Sequence, residues 1–569
     1  ATQPELKLSM HFEPTVRPAE AEVKGTKFPA RKQCRVTLFQ DCAVPAGFLK
    51  VPTSNGHHKQ HQSWQQLQDH LLQARLFIYI LHQVLHPDVR LVPTETTTIG
   101  EILTRKAAEG VRVLVLTWDP RNGRDTIPTT PDVESARTFF QKTGVHYHSV
   151  PCRSTGGLSE DDVPEGGPGL HTFTHHEKVI VMDAEAANGK RRPVAFVGSI
   201  DMARGRFDTP THPLGFTSAG GSARKDKSKS KGKGGENLSS PPDEKYDFGA
   251  GPVLPWHSAS CKVEGAIARD LMQTFAMRWL KQVENLDPRN TVSLRSSILL
   301  DLKGIDFVDP SEDVFTGTDG WQVQQFRCMG PTAIAGDDKR DMVEAYIHQI
   351  RRASRFVYIE SEYFMGASHH WGPNMSDIPC QNPVVHELTM RIVSKIYAQE
   401  DFAVYIVIPL HPRAGPPGSD PVQAALFWQS ETFRYMYRTI GSALQESKVK
   451  KHPTDYLNVF CLGAREPPSG GPSDIVKHLS AKQQQLHLMR RHMIYVNSNV
   501  VIFDDEYLLL GSTSVNQRSL AGDRNTEVAL GMVETACSKE GRHDTPQGVI
   551  SGFRLSLWAE HLGCYKTFF

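Results

Sequence analysis

The chain has 569 residues, 39% of them hydrophobic, with 64 Lys and Arg set against 63 Asp and Glu for a net charge of +1. That length holds core for two domain-sized units, and a charge so near zero supplies no global field of the kind that draws a protein to nucleic acid or an anionic surface. Nine Cys without a Cys-x-x-Cys pair argue against zinc and a disulfide framework and for a reducing, cytoplasmic setting, while the lack of a leader or of an apolar run of roughly 18 residues leaves only peripheral membrane contact to expect.

In chain order, Glu5-Leu6-Lys7-Leu8-Ser9-Met10-His11-Phe12 alternates polar and apolar side chains as a half-buried strand does, and stops short of Pro14. Trp64, Leu67, Leu71 and Leu72 then recur at helical spacing ahead of a buried strand at Ile78-Tyr79-Ile80. A second buried strand is predicted over 111–118. Next comes Thr174-His175-His176-Glu177-Lys178, an apolar run Val179-Ile180-Val181-Met182, and Asp183, which reads His-x-Lys-x4-Asp. On a strand, His176 and Lys178 point the same way, and Asp183 faces elsewhere or ends the strand. An imidazole beside an ammonium suits phosphate chemistry, the ring attacking phosphorus and the cation holding the non-bridging oxygens. In a chain with 25 His, a strand edge that carries the pair by chance is an equally good reading of the motif alone.

Phe196-Val197-Gly198-Ser199-Ile200-Asp201 forms another apolar strand ending in small residues, followed by Arg206-Phe207-Asp208-Thr209-Pro210. The segment 220–235 is low-complexity and basic, a loop insertion by composition, or a contact for anionic headgroups at about 1 kcal/mol per Lys near the surface. The second half repeats the first. Met342, Ala345, Tyr346 and Ile350 mark a helix, Ser354-Arg355-Phe356-Val357-Tyr358-Ile359 echoes Ala74-Arg75-Leu76-Phe77-Ile78-Tyr79-Ile80, and a further buried strand is predicted over 404–409. A Gly/Pro-rich loop spans 412–421. Helices alternating with buried strands argue an α/β architecture with covered sheets.

These segments resemble the plant-type phospholipase D family. The resemblance rests on His175-His176-x-Lys178, Phe196-Val197-Gly198-Ser199-Ile200-Asp201 and Gly205-Arg206-Phe207-Asp208-Thr209-Pro210. It extends through Trp256-His257, Tyr358-Ile359-Glu360, Tyr363-Phe364-Met365-Gly366 and Gly552-Phe553-Arg554-Leu555-Ser556-Leu557-Trp558. It implies two similar α/β halves with mixed sheets packed about a pseudo-two-fold, acting as one catalytic unit. Residues 16–300 form the first half and 301–569 the second, and 1–15 are the last strand of a missing C2-type lipid-binding module. His176 is then the nucleophile, Lys178 an oxyanion clamp and Glu527 the acid that orients His176, with Asp183 counted among the catalytic set. Ser199, Asn497, Asn499, Ser512 and Asn516 are expected in the phosphate pocket, with Asp208 and Asp504 in orienting or structural roles.

The second motif departs from the family. Arg491-His492-Met493-Ile494-Tyr495-Val496-Asn497-Ser498-Asn499 aligns by its strand, with Asn497 where the second His belongs and Asn499 where the second Lys belongs. Neither amide exchanges a proton near neutral pH. His492, five residues from Asn497, faces the other side of a regular strand. Asp208 is expected to be the acid that oriented the lost His and to stand without a partner. Ser258 replaces an Asp that the family has after Trp-His, and Ser361-Glu362 replace other polar residues before Tyr-Phe.

The implied activity is hydrolysis of glycerophospholipids such as phosphatidylcholine to phosphatidic acid, impaired by the two Asn. Calcium and a peripheral membrane surface are implied by the resemblance alone, since no Asp-rich loop with metal-binding spacing is present. An inactive phosphate- or lipid-binding homologue and a superfamily nuclease are the alternatives. The near-neutral charge counts against the nuclease and against a nucleic-acid partner. Headgroup preference and oligomeric state are not encoded in any motif.

Overall fold

The structure, a computed structural model, describes residues 21–45, 47–53, 56–120, 131–151, 173–186, 189–214, 254–286, 299, 307–308, 320–330, 333–334, 339–368, 380–413, 418–465, 489, 491–534 and 548–563. The strand expected at the amino terminus and the basic segment 220–235 lie outside these residues.

Each half is a run of strands whose side chains are apolar on both faces. In the first half Phe77, Tyr79, Leu81, Val179, Val181, Ala195 and Val197 point into one cluster, while Ile78, Ile80, Ile180, Met182, Val194 and Phe196 point into another. The period of two therefore yields two hydrophobic faces, and each must be covered. Helices Ser63–Gln73, Ile99–Ala108 and Pro131–Phe140 cover the outer one. In the second half Val357, Ile359, Val404, Ile406, Val501 and Phe503 face helices Asp341–Arg352, Val384–Tyr397 and Asp420–Ser447. The remaining faces meet each other: Val500, Ile502, Leu508 and Leu510 share one core with the inner residues of the first half. The result is helices, sheet, sheet, helices.

The strand order is palindromic. From one edge the second half runs Leu457–Cys461, Ala403–Ile408, Phe356–Glu360, Val500–Phe503, Tyr507–Gly511, Asn525–Glu534 and Trp321–Met329. The first half continues from there with Arg31–Gln40, Ala259–Glu264, Arg191–Gly198, Val179–Glu185, Phe77–His82, Arg112–Asp119 and His146–Pro151. In both, the outer three strands are parallel and the rest antiparallel. The expected two-fold pairing of α/β halves is present, with one addition. Arg31–Gln40 pairs with Trp321–Met329 across an irregular register, so a single hydrogen-bonded path crosses both halves. Helices Ala266–Leu286 and Gly548–His561 sit at matching places after the corresponding strands, and both send side chains into the shared core.

Candidate active site

The two sheets approach closely enough for each half to bind the other's motif. Thr174–His175 pairs in parallel with Asn525 and Thr526, and Trp256–His257 pairs in parallel with Tyr495 and Val496. The residue after each pairing is the motif residue: His176 N donates to Thr526 O at 3.1 Å, and Asn497 N to His257 O at 2.8 Å. The regular strand starts only at Val179 in the first half and Val500 in the second. The motif triplets 176–178 and 497–499 thus lie in short breaks between strands, a correction to the continuous strand that periodicity suggests. A break frees the side chains from strict alternation. His175 and Glu177, on either side of His176, are gripped by buried Arg278, at 2.6 Å from His175 Nδ1 and 2.8 Å from Glu177 Oε1.

His176 keeps its expected partner. Its Nδ1 lies 3.0 and 3.1 Å from the two oxygens of Glu527, which is fully buried. Burial alone would push the Glu527 carboxyl up. The His176 charge and hydrogen bond, Lys178 and the Ser512 hydroxyl together hold it below the usual carboxylate range instead. Ser512 Oγ donates to Glu527 at 2.6 Å and Asn525 Nδ2 at 3.0 Å. A carboxylate so held fixes the ring and its tautomer, with Nδ1–H donated to Glu527 and Nε2 turned to the pocket. Lys178 is nearly buried. It donates to His176 O at 2.9 Å and stands 3.9 Å from Asp201, a counter-charge that sequence reading passed over although it ends the Phe196–Asp201 run.

The second half-site is built on the same plan with other side chains. Since the two cross-half pairings correspond, the residue facing Asn497 must correspond to Glu527, and that residue is Ser258. Asn497 Nδ2 lies 3.3 Å from Ser258 Oγ and donates to Ser199 O at 2.8 Å. The assignment of Asp208 as the orienting acid is therefore corrected. Asp208 is not without a partner either: it holds His212 Nδ1 at 2.9 Å and accepts from the N–H of Trp256 and of Thr209, both at 2.7 Å. Asn499 accepts from Ser361 Oγ and Glu362 N and donates to Ser512 O, each at 3.4 Å. Among the described residues the His492 ring contacts Met493 O, at 3.0 Å.

Asp183 also moves out of the catalytic set. Its buried carboxylate accepts the backbone N–H groups of Arg75, Leu76 and Phe77 and pairs with Arg191 at 2.6 Å. Asp504 does the same for Ser354, Arg355 and Phe356. The two acids are the symmetric staples of the repeat. Of the expected phosphate-pocket residues, Ser512 serves Glu527, Ser199 Oγ bonds Ala259 O, and Asn516 caps the turn Gln517–Leu520 through Ser519 N. The small residues before the two serines are required by close approach. A Cβ on Gly198 would meet the Ser260 side chain at 2.4 Å, and one on Gly511 the Val528 carbonyl at 2.3 Å.

Behind the second motif lies a buried chain of acids and imidazoles. Asp208, His212, Glu560, His257, Glu360 and His561 are linked by contacts between 2.5 and 2.9 Å. Beside it Asp41 joins His212, His257 and Glu560, each offering an oxygen or ring nitrogen within 4.8 Å of the others, and Asp41 Oδ2 is buried with no hydrogen-bond partner among the described residues. Burial disfavours charge on His212, yet the bonds from Asp208 and Glu560 raise it to about 10. Burial and the Glu560 charge push the Asp41 carboxyl well up. Each ring nitrogen of His212 and of His257 already faces a carboxylate, so neither imidazole offers a free lone pair, and the set does not fit calcium, which takes oxygen ligands. The four residues come from four distant segments, so no local spacing could have announced them.

Comparison with known proteins agrees with this geometry. A family model described as Phospholipase D matches residues 70–569. The chain is 38% identical to Phospholipase D gamma 1 of Arabidopsis thaliana over 95% of its own length and 66% of that protein's. To Phospholipase D gamma 3 of the same plant it is 37% identical, again over 95% of the chain and 66% of the relative. To Phospholipase D alpha 2 of Oryza sativa subsp. japonica the figures are 36%, 95% and 68%. The chain thus spans about two-thirds of the length of the curated relatives it matches. With its repeat, its cross-half pairings and its His176–Glu527 pair, the chain belongs to the phospholipase D family.

Proposed function

We propose that the chain is a phosphodiesterase that cleaves the headgroup side of glycerophospholipids such as phosphatidylcholine, by way of a phosphohistidine on His176. The single observation that carries this reading is the bond from His176 Nδ1 to buried Glu527, which turns Nε2 towards the pocket. Nε2 attacks phosphorus, and the positive charge that grows on the ring is balanced by the Glu527 carboxylate. Lys178, held by Asp201, offsets charge on the non-bridging oxygens. Water then attacks the phosphohistidine and releases phosphatidic acid. Asn497 cannot hand a proton to the departing alcohol, and the loss of such help costs about 10²–10⁴-fold in rate.

The reading routes no step through calcium, because the imidazoles of the Asp41, His212, His257 and Glu560 cluster are bonded to carboxylates. Contact with lipid is peripheral and the setting cytoplasmic. Among the described residues no helix is long and apolar enough to cross a membrane, and Leu410, Phe427 and Trp428 are exposed apolar side chains of the second half.

The test uses a substrate whose leaving group needs no proton. A nitrophenolate is a stable anion, so a p-nitrophenyl phosphodiester should release its first nitrophenolate before steady state, and His176→Ala should abolish that release. No release at all would refute the reading in favour of a protein that binds lipid without turnover, and release that survives His176→Ala would remove His176 as the nucleophile.

A further inference from the structure

We propose that Glu362 is the proton carrier of this site, in the place left by the missing second histidine. The proposal rests on the phosphodiesterase reading above and names the residue that completes it. Glu362 Oε2 stands 4.0 Å from His176 Nε2, the attacking nitrogen, and its side chain is 15% exposed, against 14% for His176. Both groups therefore face one half-enclosed pocket. Tyr495, two residues before Asn497, donates its hydroxyl to Glu362 Oε1 at 2.7 Å. That bond holds one carboxylate oxygen and leaves the other turned to the imidazole.

The Asn residues of the second motif fit this arrangement. Asn499 accepts from the backbone N–H of Glu362 and from Ser361 Oγ, each at 3.4 Å, so the amide braces the segment that carries the carboxylate. A lysine there would pair with that carboxylate and keep it ionised. Asn497 has its amide nitrogen on Ser199 O and Ser258 Oγ, turned to the first half and unable to exchange a proton. The buried proton-exchanging chemistry lost at 497 is thus replaced from the strand end at 360–362.

The proton inventory closes. The cycle starts with Nδ1–H donated to Glu527, the Nε2 lone pair free and the transferable proton on Glu362. Nε2 bonds to phosphorus as the phosphorus–oxygen bond to the headgroup breaks, and the departing oxygen takes the proton from Glu362. The Glu362 carboxylate then takes a proton from water, whose oxygen bonds to phosphorus as the phosphorus–nitrogen bond breaks and returns its electron pair to Nε2. Rotation of the Glu362 side chain opens the 4.0 Å gap to admit the phosphoryl group.

The experiment compares the full chain with Glu362→Gln, which keeps the shape and the Tyr495 bond and removes only the exchangeable proton. Choline release from phosphatidylcholine in mixed micelles and the first nitrophenolate from a p-nitrophenyl phosphodiester are measured across pH. Choline release should fall by about 10²-fold or more with KM little changed, and the nitrophenolate-to-choline ratio should rise by a similar factor. The pH profile of choline release should lose one limb. An equal fall on both substrates would make Glu362 a positioning group and overturn the proposal. A rise on both would show a carboxylate that merely blocks the phosphate position, which overturns it as well. If the unaltered chain releases neither product, the phosphodiesterase reading itself falls. If it releases both and Glu362→Gln leaves the ratio where it was, only the role of Glu362 is lost.

Discussion

Asn497 stands to Ser258 as His176 stands to Glu527: the first pair is separated by 3.3 Å and the second by 3.0 Å. The two cross-half pairings that place them share one register rule, the facing residues following Thr526 and His257 respectively. The second half-site has thus lost its base, its cation and its orienting acid together.

Restoration must therefore be threefold. Asn497→His with Asn499→Lys and Ser258→Asp should raise choline release from phosphatidylcholine by about 10²–10⁴-fold, and the pair without Ser258→Asp should gain less. Side-by-side assays of the three proteins decide it. Equal rates for the double and triple variants would mean that Ser258 does not occupy the orienting position.

Glu527→Gln should leave His176 in place but with the wrong tautomer preferred, since an amide nitrogen would then compete to donate to Nδ1. The first nitrophenolate should be released about 10²–10⁴-fold more slowly, with substrate affinity little altered. A pre-steady-state burst of normal rate would remove Glu527 from the mechanism.

Asp183→Asn should cost stability rather than chemistry. Arg191 would be left largely buried beside an uncharged amide, and breaking a buried pair from one side costs about 3–5 kcal/mol. Denaturant unfolding should show that loss, while the burst per folded molecule stays within a few-fold of the parent. Unchanged stability with a lost burst would return Asp183 to the catalytic set.

Acid should weaken the fold before it touches the carboxylates. Burial lowers His82 from 6.5 to about 4, the Asp201 charge opposing and Lys178 adding to it, and burial with the His61 charge lowers His58 to about 4. Between these limits the unfolded chain binds protons that the folded chain refuses. The stability these neutral rings contribute is therefore complete above pH 6.5 and is lost as pH falls towards 4. Each contributes at most about 1.4 kcal/mol per pH unit in that window. His58→Gln should flatten the slope of unfolding free energy against pH, and an unaltered slope would show that His58 does not titrate there.

The repeat was legible in the chain because period-two burial is a local property. Ile78, Ile80, Val357 and Ile359 alternate with residues that face the partner sheet, and helix spacing at Trp64 and Met342 marks what covers the outer faces. The first motif was legible too, since His176 and Lys178 lie two residues apart and Glu527 sits in a recognisable run. The partners of the second motif were not. Asp208 reads as the orienting acid in the chain because sequence order says nothing about which half a side chain faces. Only the parallel pairing of Trp256–His257 with Tyr495 and Val496 sets Ser258 against Asn497. Asp183 read as catalytic because it closes the motif, whereas its carboxylate reaches back across the sheet to the N–H groups of Arg75, Leu76 and Phe77. The Glu362 contact with His176 and the cluster of Asp41, His212, His257 and Glu560 join segments far apart in the chain. Backbone periodicity and local motifs depend on neighbours along the chain, whereas a shared pocket depends on how two sheets are pressed together, and the packing of the halves decided it.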